Sequence, residues 1–424
     1  MVLAARLRPV VRPVCSCCTA ASRHSLPRYV PARRFIHAPP RTPDFAFAFD
    51  IDGVLVRAST PLPRAHAALS YLQRRRIPFI LLTNGGGKGE RERVAELSRK
   101  LDVLLDTGMF VQSHTPFAEL DEYKDEPVLI VGGEGDNCRR VAEGYGFTTA
   151  ITPADIFVAA PHMWPFSTPF LDYYRAFARP LPKPLYIPPT SSSSPSPSQP
   201  PSRETHLSLT AMLVFNDPRD WGLDLHVLLD ALLSHAGILG TFSPRNNDAA
   251  LPNRGYQQDA QPALFFSNPD LWWAAAWHLP RLGQGGFREA LEGVWAAATG
   301  GEKAGVSLHK KVWGKPWRET YLFAEKRLAA HRAMLLGQQG VAGVRNLAPL
   351  RKVYMVGDNP ESDIRGANMY ESPHGTEWRS LLVKTGVYQD GTTPSYTPTT
   401  IVEDVEAAVQ WAVKDAGWED GVSD

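Results

Sequence analysis

Phe45-Ala46-Phe47-Ala48-Phe49-Asp50-Ile51-Asp52-Gly53-Val54-Leu55 joins a short apolar run to a turn rich in acid and glycine. That pattern predicts a buried strand followed by a loop. Working outward, Pro63–Arg75 carries Ala67, Leu69 and Leu72 at helical spacing. Pro78–Leu82 then reads as a second buried strand, ending in Thr83-Asn84-Gly85-Gly86-Gly87, and Glu90–Leu101 as the next helix. Strand, helix, strand, helix in this rhythm predicts a doubly wound parallel sheet. The rhythm returns late. Val353–Val356 reads as a strand entering Gly357-Asp358, Ile364–Tyr370 as a helix, Ser380–Lys384 as a strand and Val402–Val413 as a closing helix.

The middle of the chain reads as a separate α/β unit inserted into the first. Val128–Val131, Ile156–Ala159, Leu213–Phe215 and Ala263–Ser267 are its expected strands. Asn137–Tyr145 and Leu223–Ala236 are its expected helices. The expected division is therefore core over 42–111, insert over 112–285 and core again over 286–424. Within the insert, Thr190–Ser202 is nearly all Ser and Pro. Such a stretch cannot bury enough apolar surface to order itself, so 188–205 is expected to be a disordered loop.

Net charge is +1 over 424 residues, which gives no basic excess pointing to nucleic acid. The average hides two different objects. Residues 1–41 hold eight arginines, no lysine and no acid; the first acid is Asp44. An Arg-, Ser- and Ala-rich, acid-free start predicts a mitochondrial presequence, with Arg33-Arg34-Phe35 resembling a processing site and the matrix as destination. No run approaches the ~20 apolar residues of a membrane span. Cys15, Cys17 and Cys18 lack the second ligand pair of a structural zinc site. They would leave with the presequence, so Cys138 would stand alone, as suits a reducing compartment.

Four pieces carry chemistry: Asp50/Asp52, Thr83/Asn84, Lys315 in Gly314-Lys315-Pro316, and Asp358-Asn359 with Asp363. In an open parallel sheet the carboxyl ends of strands meet at one crevice, so these pieces are expected to converge. Attack of a carboxylate on phosphate must overcome repulsion between anions, which a divalent ion and fixed donors offset. Mg2+ takes oxygen ligands, and Asp50, Asp358 and the backbone carbonyl of Asp52 can supply them. Lys315 adds positive charge. Thr83 offers a hydroxyl, and backbone N–H groups around Asn84 and Gly85 can hold phosphoryl oxygens. Asp50 then reads as nucleophile and Asp52 as the acid/base two residues on.

These motifs resemble those of the haloacid dehalogenase superfamily. Asp50/Asp52 matches its first motif, Thr83 its second, Lys315 its third and Asp358/Asp363 its fourth. The insert between the second and third motifs resembles subfamily IIA. Gln112-Ser113-His114-Thr115-Pro116-Phe117 and Met163-Trp164-Pro165-Phe166 resemble the mitochondrial branch named after the cat-eye-syndrome critical region. The resemblance covers about residues 44–414. It implies a Rossmann-like core with a C2-type α/β cap and a Mg2+-dependent phosphatase acting through an aspartyl-phosphate on a small phosphorylated metabolite. Asp50, Asp52 and Lys315 would be catalytic, and Thr83, Asn84 and Gly85 would bind phosphate. Asp50, Asp52 and Asp358 would bind the metal, with Asp363 and Asn359 steering that shell. A place in glycerophospholipid, nucleotide or sugar phosphate metabolism is implied through the family. Homo-oligomerisation stays open.

Two other readings stand beside it: a mitochondrial scaffold with a vestigial hydrolase fold, and a phosphotransferase or mutase using the same nucleophile. Gly132-Gly133-Glu134-Gly135 follows a strand but lacks the full dinucleotide fingerprint, so a tight turn is expected there. Trp272, Trp273 and Trp277 are expected in the cap's core rather than in a substrate cage. Asn268-Pro269-Asp270 is a candidate specificity loop.

Overall fold

The computed structural model describes residues 42–57, 60–188, 200–273, 277, 279, 281–338 and 347–418. The expected presequence with Cys15, Cys17 and Cys18, and most of the Ser/Pro stretch, lie outside the described residues.

Side chains alternate across a strand, and Phe45–Phe49 uses that alternation to separate size. Phe45, Phe47 and Phe49 face one core, with Leu69, Leu72, Tyr354 and Val409. Ala46 and Ala48 face the other, where small side chains leave room for Tyr321, Ala324 and Leu328 of the Arg318–Gln338 helix. Burial on both faces explains why the strand is a continuous apolar run. Phe49 pairs in parallel with Val356 on one side and Leu81 on the other.

The strand thus sits inside a six-stranded sheet. Its order is Thr400–Val402, Glu377–Val383, Lys352–Gly357, Phe45–Phe49, Phe79–Leu82, Phe110–Val111. Every pairing in it is parallel. Asp50 and Asp358 follow the last residues of adjacent strands, and Thr83 follows the next one over.

A second parallel sheet forms the inserted unit, in the order Lys311–Val312, Ala263–Phe266, Ala211–Val214, Pro127–Val131, Thr149–Ile151. The Gln284–Thr299 helix buries Phe287, Leu291 and Trp295 in this unit's core. Helix and edge strand together carry the insert to about residue 312, beyond the expected end at 285. The expected strand Ile156–Ala159 is instead part of a helix, Pro153–Ala159. Thr152 and Pro153 start it, and the Asp155 carboxylate accepts the Thr152 N–H at 2.7 Å. A short apolar run does not reveal its period, and the capping signal decides here. The closing helix begins at Val405, capped by the Asp404 side chain, while Val402 belongs to a strand.

Trp272, Trp273 and Trp277 are not in the cap's core. They are 56%, 52% and 58% exposed, on and beside a two-stranded hairpin in which Trp272 pairs with Leu282 and Trp273 with Arg281.

Candidate active site

Parallel pairing brings strand ends to one edge, and the loops leaving them put the predicted charges within reach. The Lys315 ammonium lies 2.6 Å from Asp50 Oδ1 and 2.6 Å from Asp363 Oδ1. Asp50, Asp358 and Asp363 are all buried, and one carboxylate oxygen from each lies within 4.8 Å of the others. Asp358 is held from behind: its Oδ2 accepts the Val387 N–H at 2.7 Å. Two glycines make room for it. A Cβ on Gly53 would stand 2.3 Å from Asp358 Oδ2, and one on Gly386 1.9 Å from it. Gly53 also has φ +85°, which favours glycine. Thr385 donates its hydroxyl to the Gly53 carbonyl at 2.5 Å, joining the two loops.

Asp363 serves Lys315 on one oxygen and accepts the Asn359 N–H at 3.1 Å on the other. Asn359 caps the following turn, its side chain accepting the Glu361 N–H at 2.9 Å. Thr83 is buried, and its hydroxyl oxygen accepts the Gly85 N–H at 3.0 Å. Asp52 stands on the accessible side of the loop.

Asn84 departs from expectation. Its side-chain oxygen accepts the Lys315 N–H at 2.7 Å, and its amide donates to the Lys315 carbonyl at 2.9 Å. The amide also reaches Asp270 Oδ1 at 3.1 Å. With both groups taken, the side chain fixes the lysine loop, which leaves the backbone N–H as its only means of holding phosphate. The Asn268-Pro269-Asp270 loop lies directly on it, since Asn268 donates to the Asn84 carbonyl at 3.0 Å. One sequence signal pointed here: a polar, proline-bearing loop at a strand's carboxyl end.

A second link between core and insert was missed. His114 Nε2 accepts the Gly87 N–H at 3.3 Å, so Nδ1 carries the proton and donates to the Tyr145 hydroxyl at 2.9 Å. Tyr145 passes its own hydroxyl proton toward Glu90. Nothing in the spacing of these four residues announces their meeting.

The electrostatics follow from burial. Loss of water pushes the Asp50 carboxyl well above its usual range; Lys315 pulls it back, and Asp363 and Asp358 raise it again. Asp358 is pushed up to about 7, by burial first and by Asp363 second. Burial alone would depress Lys315, but Asp363 and Asp50 hold its ammonium above the ordinary lysine range. Around Asp52 the protein displaces enough water to raise its carboxyl, even though the side chain is accessible. Burial raises Asp270 to about 6, against the Asn84 hydrogen bond.

Three buried carboxylates face one ammonium, so the ionised cluster is short of two positive charges. Uncompensated buried charge is costly, and oxygen donors this close suit a hard divalent cation. The donor set fits Mg2+.

A family model described as haloacid dehalogenase-like hydrolase matches residues 47–148, and a HAD-hydrolase-like model matches residues 312–408. A mitochondrial hydrolase of Saccharomyces cerevisiae is 38% identical over 374 residues, covering 86% of this chain and 94% of the relative. A cardiolipin synthase (CMP-forming)/mitochondrial hydrolase fusion protein of Schizosaccharomyces pombe is 36% identical over 373 residues, covering 87% of this chain. The match spans only 53% of that longer relative. A crystal structure of a hypothetical protein from Pyrococcus horikoshii shares the fold, with a TM-score of 0.51 at 16% identity over 87% of this chain and 99% of its own. With both core segments matched and a relative aligned over nearly its whole length, the chain belongs to the haloacid dehalogenase-like hydrolases.

Proposed function

We propose that the chain is a Mg2+-dependent phosphatase that hydrolyses a small phosphomonoester through an aspartyl-phosphate on Asp50. The observation that supports this most is the meeting of Lys315, Asp50, Asp358 and Asp363 at the carboxyl ends of adjacent strands. Asp50, Asp358 and the carbonyl of Asp52 would hold the ion, and Asp363 lies near enough to join or steer them. When bound, Mg2+ supplies the positive charge that lets a carboxylate approach a phosphoryl group.

The chain's own residues account for the steps. A carboxylate oxygen of Asp50 attacks phosphorus, and the bond from phosphorus to the alcohol oxygen breaks. Asp52, with its raised carboxyl, gives that oxygen a proton. Water then attacks phosphorus while Asp52 takes back a proton, the Asp50–phosphorus bond breaks, and inorganic phosphate leaves. Lys315 holds the Asp50 side chain in place throughout. The Thr83 hydroxyl and the backbone N–H of Asn84 are the donors for the phosphoryl oxygens, and the Gly85 N–H would join them by turning from the Thr83 hydroxyl that accepts it here.

A mitochondrial matrix location belongs to the same proposal. The arginine-rich, acid-free residues 1–41 and the names of two relatives support it. A role in glycerophospholipid metabolism draws support from the relative joined to a cardiolipin synthase. The test is phosphate release from a panel of phosphomonoesters with Mg2+, using Asp50→Asn as the blank. No release from any ester would overturn the proposal. Discharge of a trapped intermediate by an alcohol but not by water would replace hydrolysis with phosphotransfer.

A further inference from the structure

Four consecutive polar residues, Gln112-Ser113-His114-Thr115, have no part in the chemistry above, yet none is more than 3% exposed. The segment leaves Phe110–Val111, the edge strand of the core sheet, and leads into the insert. Polar groups taken out of water are costly unless partnered, so their partners show what the burial is for. Each of the four reaches the turn that follows Thr83. The Ser113 N–H donates to the Gly85 carbonyl at 3.3 Å, and the Gln112 side-chain amide donates to the Lys88 carbonyl at 2.8 Å. His114 Nε2 accepts the Gly87 N–H at 3.3 Å, and the Thr115 hydroxyl donates to the Glu90 carboxylate at 3.0 Å. Gly86 fits against the same surface. A Cβ there would stand 2.8 Å from Ser113 Oγ and 2.9 Å from His114 Cδ2.

The turn needs such support. Gly85-Gly86-Gly87 has no side chains with which to fix its own backbone, and glycine loses the most freedom on being ordered. Donors aimed at a phosphoryl group help only if they are already in place. The bracing extends into the insert. The His114 ring lies against Phe215, with centroids 5.3 Å apart, just after the Ala211–Val214 strand. Its Nδ1–H donates to the hydroxyl of Tyr145, at the end of the insert's Asn137–Gly144 helix.

We propose that Gln112–Thr115 is a strut that holds the triple-glycine turn in its phosphate-binding shape, with His114 as a positioning residue fixed from the insert by Tyr145. That the turn binds phosphate rests on the phosphatase reading; the ordering of the turn by the strut does not.

The test uses the full chain with Mg2+. His114→Phe keeps a ring between Tyr145 and Phe215 and removes the nitrogen that accepts the Gly87 N–H. Hydrogen–deuterium exchange of the amides over 85–88 should then quicken roughly tenfold, while Val353–Val356 in the core sheet keeps its wild-type protection. In hydrolysis of p-nitrophenyl phosphate, KM and the inhibition constant of inorganic phosphate should each rise about tenfold, with kcat within about threefold of wild type. A purely structural role would lower the folded fraction, and so kcat, without moving either constant. His114→Gln, whose side-chain oxygen can stand in for Nε2, should recover most of both effects. Tyr145→Phe keeps its ring but no longer orients His114. It should move the same readouts in the same direction by about threefold, and it decides the matter if His114→Phe does not fold. Unchanged exchange over 85–88 overturns the proposal. So does a fall in kcat alone, or a His114→Gln variant as impaired as His114→Phe. If the wild type hydrolyses no ester, the phosphatase reading falls, and exchange still decides whether the strut orders the turn.

Discussion

The two parallel sheets end in loops that look alike and do opposite things. Phe45–Phe49 runs into Asp50-Ile51-Asp52-Gly53, and Pro127–Val131 runs into Gly132-Gly133-Glu134-Gly135. At the second edge the buried arginine is answered by the protein. Arg139, 1% exposed, donates to Asp155 at 2.9 Å, to Asp136 at 2.5 Å and to the Phe177 carbonyl at 3.0 Å. Gly132, at φ +96°, exists to let backbone pass; a Cβ there would stand 1.9 Å from the Asn216 carbonyl oxygen. At the first edge the protein gathers three acids and one base and leaves the sum unbalanced. Strand–loop topology therefore does not make a site. Charge that the fold does not neutralise makes one, because it must be met from outside.

The comparison can be broken by substitution at each edge. Asp50→Asn should lower phosphate release by about a thousandfold or more, since a neutral amide is no nucleophile. Its thermal midpoint should stay level or rise, because a buried like charge is gone. A large drop in stability would mean that the acids serve the fold. Arg139→Met should do the reverse. It leaves Asp155 buried and unpaired, at a cost of roughly 3–5 kcal/mol by denaturant unfolding. Activity per folded molecule should survive.

His114 sharpens the contrast by titration. Burial holds its imidazole down at about 4, against the pull of Glu90. The unfolded chain binds a proton there below about 6.5 and the folded one does not. Its contribution to stability is therefore present above about 6.5 and lost as pH falls toward 4. His114→Gln should flatten the stability profile in that window. A slope unchanged by the substitution would assign it to other groups. The smallest effect is expected at the clamp between loops. Asp270→Ala removes one partner of Asn84 without touching the reacting atoms. It should lower kcat/KM by roughly tenfold, through looser placement of Lys315. Equal kinetics would leave the loop with packing alone.

The turn that carries Asp50 and Asp52 was legible because strand and turn chemistry are local. An apolar run, two acids and a glycine occupy consecutive positions, and their periodicities are short. The same holds for Thr83 and for Asp358, each following an apolar run. Lys315 was legible by its order in the chain, against Lys310 and Lys311 close by. The misreadings fell where tertiary context rules. Ile156–Ala159 has the composition of a strand, but a capping carboxylate makes it helical. Trp272, Trp273 and Trp277 read as core because indole is large and apolar, yet the hairpin turns them outward. Asn84 was expected at the phosphate from its place after Thr83; its side chain is spent on a lysine and an aspartate far along the chain, which leaves its backbone N–H for that role.

By itself the sequence determined the strand that divides large from small side chains, the turn that follows it and the acids that turn carries. These depend on neighbours a few residues apart. The tertiary structure alone decided that Asp50, Lys315, Asp358 and Asp363 share one buried volume with a charge deficit, and that His114, Tyr145 and Glu90 form a chain between core and insert. Those facts arise from the parallel pairing of distant strands, and the energy of a buried charge depends on everything that surrounds it in space.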